Sequence, residues 1–553
     1  MVRPFLLLPL VGLLAGLILA AWWWPNRLQG GDVAMPAGRL NAVSFAPFRD
    51  GQSPLTDRFA TVAQVEQDLA LLAPHVRAIR SYAALGGEYD LAAMARTHGL
   101  KLWLGLWLGG DRAQNAREIA AGIAIANRHP DTVERVVVGN EVLLRRDLPP
   151  AELIAAIDQV RRAVPQPVTY ADVWEFWRQF PEIAAHVDIV TIHLLPYWED
   201  DPTGIDGAVA HVGAVHRAMA SLFPDKRIAI GETGWPSQGR WRRDAAPGRV
   251  NQALFLRRFV ALSAQEGFDY NVIEAFDQRW KAVNEGSVGA NWGLWTTARE
   301  AKFPPSGALR EDPDWLWHAA ASVGLGVGLL AVALAAHPRL PARPRLQAYR
   351  QAWLAVLAMA LGAALAFAWV GTIPVAYDGY LQVAAAANLL GQAMLALLLL
   401  DQVARGTWPD RVAAQTTEAV RSLLLLRWGG LACRRDVLFA DLSFLFAWAA
   451  AVLAMLLLVD PRYRDFPLPV FAVPVVASLA RLVSWDRPRG GRDRPRGGRE
   501  EGVAGAVLAL AAIAGAVLEG AANWQSLTWT AAALVLAAPL LAGYWNGVRH
   551  KSS

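Results

Sequence analysis

A single cysteine, Cys433, serves 553 residues, so no intrachain disulfide can form and the fold does not depend on oxidation. The first 310 residues lack any basic stripe interleaved with aromatics, although the net charge is +5. Nucleic acid is therefore not an expected partner. Charged residues make up only 18% of the chain and are nearly missing from long runs between 315 and 547, where Ala, Leu, Val and Gly dominate. No Gly-rich phosphate turn follows the first strand candidate, whose sequel is "SFAPFRDGQSP". That argues against a dinucleotide-binding doubly wound sheet. No His or carboxylate partner follows Glu199-Asp200-Asp201 at ligand spacing, so neither a metal nor another cofactor is expected.

Hydrophobic residues make up 54% of the chain, high for a wholly soluble protein, and they are distributed unevenly. The chain divides near the linker "FPPSGALREDPD". The expected domains are an anchor helix over 1–24, a globular domain over 25–310 and a seven-helix membrane domain over 311–553. A helix needs about 20 apolar residues to cross a bilayer. Eight segments qualify: 5–24, 315–336, 351–370, 380–400, 437–459, 467–485, 503–522 and 526–546. The first runs into Trp22–Trp24 without a small-residue cleavage pattern, which reads as a retained anchor with an interfacial aromatic belt. The loops 337–350, 401–436 (six arginines) and 486–500 are strongly basic, whereas 371–379 and 523–526 carry no Lys or Arg. With Arg3 inside, eight crossings put every strongly basic loop in the cytoplasm and 25–314 outside. The loop over 486–500, with its repeated "DRPRGG", reads as solvated chain that can touch anionic lipid. Asn388 and Gln392, one turn apart in the fourth span, read first as a helix–helix hydrogen-bonding pair and second as part of a glycan or lipid conduit.

The outer domain alternates two periods. Strand patterns cover 40–48, 75–83, 100–108, 133–142, 167–174, 188–198, 227–235 and 270–276. Amphipathic helical patterns such as 61–73, 115–129, 150–164 and 250–267 lie between them. Eight strands alternating with helices over about 250 residues predict an α/β fold, a (β/α)8 TIM barrel. In such a barrel the reactive groups sit where strands end, at the C-terminal face. Here the strand ends carry Arg80-Ser81-Tyr82, Asn140-Glu141, His193 with Tyr197-Trp198, Glu232-Thr233-Gly234-Trp235, and Glu274 with Asp277. Glu141 and Glu232, on strands four and seven, are predicted to converge across the mouth. Two converging carboxyls are the minimum for glycoside cleavage: one protonated to donate to the leaving oxygen, one ionised to attack or steady the anomeric centre. Six tryptophans (174, 177, 198, 235, 280 and 292) could stack on sugar rings; two or three are expected to do so and the rest to fill the core. Arg80 reads either as a carboxylate-holding group or as a local ion pair, and Tyr82 likewise. A strand-end Glu taken alone is usually a solvated loop residue; it is the pair in ordered motifs that suggests chemistry.

The motifs "VVVGNEVL" (136–143), "IAIGETGWPS" (228–237), "IEAFDQRWK" (273–281) and "NWGLW" (291–295) resemble glycoside hydrolase family 17. The resemblance covers roughly 40–300. It implies a (β/α)8 barrel acting on β-1,3-glucans by hydrolysis or transglycosylation through retention. It also implies catalytic roles for Glu141 (acid/base) and Glu232 (nucleophile), and a hydrogen bond from Asn140 to the sugar 2-OH. Substrate-binding roles follow for Tyr82, His193, Tyr197, Trp235, Glu274 and Lys281. Two positions depart from the family pattern: Leu195 stands where a Tyr is common, and His193 where an Asn is common. The membrane-attached form looks like bacterial inner-membrane members whose catalytic domain faces the periplasm, with β-glucan as substrate, membrane lipid as surroundings and a glucan synthase subunit as a candidate partner. Transfer is favoured over hydrolysis, with β-1,3 or β-1,6 products, in glucan synthesis or remodelling. Competing readings are a non-catalytic glycan-binding or export scaffold, and a nucleotide-sugar synthase. The second is disfavoured because the cytoplasmic loops are too short for a nucleotide-binding domain and "DQRW" (277–280) lies in the barrel.

Overall fold

The computed structural model describes residues 7–31, 33–337, 344–406, 431–485 and 498–549. The basic stretches 338–343, 407–430 and 486–497, which carry most of the charge argument for orientation, lie outside the described residues. The chain forms two compact units: Leu28–Arg310, and Met1–Arg27 together with Glu311–Ser553.

The first unit is a closed barrel of eight parallel strands in sequence order, as expected: β1 (Leu40–Ser44), β2 (Val76–Arg80), β3 (Lys101–Leu106), β4 (Val133–Asn140), β5 (Val168–Val173), β6 (Ile189–His193), β7 (Arg227–Thr233) and β8 (Asp269–Val272). Helices follow the strands on the outside, among them Val62–Leu72, Arg112–Arg128, Pro150–Ala163, Ile205–Leu222 and Arg249–Glu266. Their starts are chemically marked. Thr61 and Gln64 form a reciprocal capping box, and the Asp111 carboxylate accepts from the backbone of Ala113 and Gln114. Small residues line part of the interior, where Ala42, Ala78, Val137 and Ala171 leave room for the buried Trp103. The Arg135 guanidinium lies 3.9 Å from the centre of the Trp103 ring and pairs with Asp269 at 2.8 Å. The strands stop several residues short of the alternating patterns read from the sequence. Strand six, for example, ends at His193, and the chain then turns over the barrel mouth instead of continuing to Trp198.

In the second unit, six helices are long and apolar enough to cross a membrane: Trp315–Ala336, Gln347–Thr372, Gly379–Arg405, Arg435–Val459, Arg499–Glu519 and Trp524–Arg549. Six of the eight expected spans have a helix of spanning length among the described residues. The apolar helices Leu8–Trp23 and Pro469–Val483 are shorter. At 1.5 Å per residue, a helix of 14–16 residues reaches only about 21–24 Å, against a hydrocarbon core of about 30 Å. Three prolines, Pro467, Pro469 and Pro474, confine the second of them, which begins with a 3-10 turn over Pro469–Phe471. Asn388 and Gln392 meet this broken start. Asn388 donates to the Val470 carbonyl (3.1 Å) and Gln392 to the Pro469 carbonyl (3.1 Å), while the Gln392 oxygen accepts from Val473 N–H (2.9 Å). Backbone groups that no helical turn can pair are thereby paired by side chains, which is the helix–helix hydrogen-bonding reading of those two residues. The N-terminal helix packs within the same unit as the C-terminal helices, with Trp22 Nε1 donating to Ser322 Oγ at 3.0 Å.

Candidate active site

The ends of β2, β4, β6 and β7 bring Arg80, Asn140, Glu141, His193 and Glu232 together. Three of the strand pairings lose their regular register close to this point: between Val137 and Asn140, between Ile192 and His193, and between Ile230 and Thr233. Such irregularities redirect side chains at strand ends. Glu141 itself has a left-handed backbone, φ +52°, directly after β4 and two residues after Gly139 at φ +87°. A non-glycine residue held there is strained, by about 1–3 kcal/mol, and such strain collects at functional sites.

One carboxylate oxygen of Glu141, one of Glu232 and a ring nitrogen of His193 all lie within 4.8 Å of one another. The two carboxyls therefore meet in a single pocket. Glu232 is nearly closed off, its side chain 7% exposed, whereas that of Glu141 is 22% exposed and open to a ligand. Arg80 is the strut between the strands. Its Nη1 donates to the Gly231 carbonyl (2.6 Å) and to Glu232 Oε1 (3.1 Å), and its Nη2 to Asn140 Oδ1 (2.6 Å). Of the two readings of Arg80, the geometry is that of the carboxylate-holding group. The Tyr82 hydroxyl lies 2.9 Å from Glu232 Oε1 and 2.9 Å from Ser44 Oγ. Burial and the neighbouring Glu232 charge push this phenol well above its usual range, so it stays a donor to Glu232. Glu232 Oε1 thus accepts from both Arg80 and Tyr82.

Burial alone would raise the Glu141 carboxyl. The hydrogen-bonding and electrostatic influence of His193, followed by the charges of Arg145 and Arg80, outweighs it and holds the carboxyl below its usual range. Glu274 and Lys281 form a two-pronged ion pair (2.8 and 2.9 Å) beside the pocket. Burial lifts Glu274 to about 7 although Lys281 opposes it. Lys281 is itself raised: desolvation lowers it, but the charges of Glu274 and Glu285 prevail.

Other expected ligand contacts are placed differently. Tyr197 and Trp235 are buried to within 1% and offer no ring face to a sugar. The Tyr197 hydroxyl donates to the Arg240 carbonyl (2.6 Å) and Trp235 Nε1 to the Ala246 carbonyl (2.9 Å). Trp177 and Trp292 are core residues too, whereas Trp174, Trp198 and Trp280 keep partly exposed surface. The His193 side chain is completely enclosed, so it touches the carboxylates and not a substrate directly. Asn140 is buried and held by Arg80.

Several participants were not singled out from sequence. Glu285, in the short helix Ala282–Gly289, is raised by burial, opposed by the charge of Lys281 and helped by the charges of Glu141 and Glu232. Its spacing four residues after Lys281 was the available signal. Asp172 on β5 is bound by the Tyr170 hydroxyl and senses both Glu141 and His193. Trp107, just past β3, is 41% exposed with Arg145 over its ring at 4.2 Å.

Glu141, His193 and Glu232 include the ligand types of a cation site. They do not fit one here. The Arg80 guanidinium already supplies positive charge at Glu232 and lies 3.5 Å from His193 Nε2, while His193 Nδ1 is engaged by Glu141 at 2.8 Å. The acids at 199–201 also have partners, with Glu199 2.8 Å from His211 and Asp201 bound by Arg243.

Residues 42–293 match the BtgE/BtgC glycoside hydrolase domain. A glucan 1,3-β-glucosidase of Arthroderma benhamiae is 28% identical over 281 residues, spanning 46% of this chain and 87% of that protein. One of Candida albicans is 27% identical over 267 residues, spanning 44% and 86%. Among solved structures, the glycoside hydrolase family 17 β-1,3-glucanosyltransferase of Rhizomucor miehei is 24% identical with a TM-score of 0.43, covering 48% of this chain and 98% of that one. Residues 42–293, an eight-stranded barrel with paired carboxyls at its strand ends, are thus similar to the BtgE/BtgC glycoside hydrolase domain over nearly the whole barrel.

Proposed function

We propose that this is a membrane-anchored, retaining β-glucan glycosidase or transglycosylase whose barrel works on the periplasmic side of a bacterial inner membrane in β-glucan synthesis or remodelling. The observation that carries the retaining chemistry is the carboxyl separation, within 4.8 Å between one oxygen of each. Retaining enzymes hold their two carboxyls about 5–5.5 Å apart, whereas inverting ones need about 6.5–9.5 Å to admit a water. Glu141, the more exposed acid, protonates the leaving oxygen. Glu232, set by Arg80 and Tyr82, attacks the anomeric carbon and forms the glycosyl-enzyme. Glu141 then takes the proton of the acceptor, and the ester bond to Glu232 breaks.

The relatives named as glucan 1,3-β-glucosidases support a β-1,3-linked substrate. The six long apolar helices support membrane attachment. A barrel tied to such helices suits work on a nascent exported glucan, so a sugar hydroxyl, rather than water, is the favoured acceptor. The test is to incubate the purified full chain with laminari-oligosaccharides and follow product length and anomeric configuration. Longer products of retained β-configuration are expected. Shortened products alone would reduce the assignment to hydrolysis, and α-anomeric first products would remove the retaining mechanism.

A further inference from the structure

His193 occupies an unusual place for a fully enclosed side chain. It sits between the two reactive carboxyls, with Nδ1 2.8 Å from Glu141 Oε1 and Nε2 3.7 Å from Glu232 Oε1. Gly231 lets the ring lie there, since a Cβ at that position would come within 3.0 Å of His193 Cδ2. Four strands contribute a charged or titratable group to its surroundings: Arg80 from β2, Glu141 at the end of β4, Asp172 from β5 and Glu232 from β7. The Arg80 guanidinium, 3.5 Å from Nε2, is a donor and makes that nitrogen the acceptor. The ring proton therefore sits on Nδ1 and points at Glu141. Among the described residues, His193 donates a side-chain hydrogen bond to the Glu141 carboxyl.

We propose that His193 is a positioning residue for the second half of the reaction, its Nδ1–H holding Glu141 as the carboxylate that receives the acceptor's proton. The proposal rests on the retaining mechanism above. In the first half, one oxygen of Glu232 lies within 4.8 Å of one of Glu141, close enough for the negative charge that attacks to favour a proton on its neighbour. Attack by Glu232 on the anomeric carbon expels the leaving oxygen, which takes the Glu141 proton. Once Glu232 is a neutral ester, its charge no longer acts on Glu141. The bias that remains comes from the His193 hydrogen bond, aided by Arg145 and Arg80, and it favours the base. The acceptor O–H then attacks the anomeric carbon, its proton goes to Glu141, and the bonding pair of the ester returns to Glu232. The imidazole keeps its own proton throughout.

Two variants of the full-length protein separate this from a packing role. His193→Phe keeps the ring and loses the donor. His193→Asn keeps an N–H near the Nδ1 position and loses Nε2. An aryl β-laminaribioside with a leaving group that departs without acid help isolates the second step. With H193F, turnover is expected to fall about tenfold or more, KM to fall with it, and the covalent glycosyl-enzyme to accumulate by intact-protein mass. On unactivated laminari-oligosaccharides, the basic limb of kcat/KM should move up by about one pH unit, because Glu141 then holds its acid proton longer. H193N should stay within about threefold of wild type with its limb unmoved. His193→Leu repeats the donor-less case if H193F does not fold. Equal losses in donor-keeping and donor-less variants, with no accumulated intermediate and no moved limb, would overturn the proposal. If the wild type itself neither releases the aryl group nor turns over the oligosaccharides, the β-glucan reading fails instead, which is a different result.

Discussion

Replacing Arg80 by methionine tests whether the guanidinium is what holds the two halves of the site together. The side chain is 1% exposed and donates to Gly231, Glu232 and Asn140 at 2.6, 3.1 and 2.6 Å. Methionine fills most of the volume, so the cavity contribution is small and the loss is electrostatic. Removing one partner of a buried ion pair costs about 3–5 kcal/mol, because the other charge stays behind unpaired. Glu232 keeps the Tyr82 hydroxyl at 2.9 Å, which puts R80M at the lower end, about 3 kcal/mol. If that loss falls on the transition state, kcat/KM drops by about 150-fold. Arg80→Lys restores a charge, but a single ammonium cannot bridge Asn140 and Glu232, so it should recover only part, leaving a loss of about tenfold. The assay is kcat/KM on laminari-oligosaccharides from released reducing ends, with thermal unfolding followed in parallel. A folded R80M with kcat/KM within about threefold of wild type would refute the idea that this fork organises the carboxyls.

Glu232→Gln should abolish turnover on every glycoside. Glu141→Gln should lose about 10²–10⁴-fold on oligosaccharides and much less in the first step of an activated aryl glycoside, as burst kinetics would reveal. Lys281→Met strips the fully buried Glu274 carboxylate of its two bonds, at 2.8 and 2.9 Å, and should destabilise the barrel by about 3–5 kcal/mol in a denaturant titration. In the helical unit, Gln392→Leu removes bonds to Pro469 and Val473 and should lower stability in detergent by about 1–2 kcal/mol; an unchanged unfolding midpoint would show that the broken helix start needs no side-chain partner.

Much of the barrel was legible in the chain because its signals are local. Period-2 runs over 133–142 and 227–235 and period-3.6 runs over 61–73 and 150–164 each report which residues face a core, and folding kept them as β4, β7 and two flanking helices. Glu141 and Glu232 were legible for the same reason, as carboxylates placed where strands stop. The membrane count was less secure. Hydropathy over 467–485 reports apolarity but not length of unbroken helix, and the prolines shorten that segment below a span. Tyr197 and Trp235 are both buried, and composition cannot tell a ring packed in the core from one facing a cleft.

The order of strands, the two-part character of the chain and the identity of the paired acids are written in the sequence, since each depends on the chemistry of neighbouring residues along one stretch. The placing of His193 between Glu141 and Glu232, the fork of Arg80 across three strands and the enclosure of Tyr197 were decided only by closure of the barrel. Closure brings strand ends far apart in sequence within hydrogen-bond reach, and register irregularities at those ends, invisible to any periodicity, set which atoms meet.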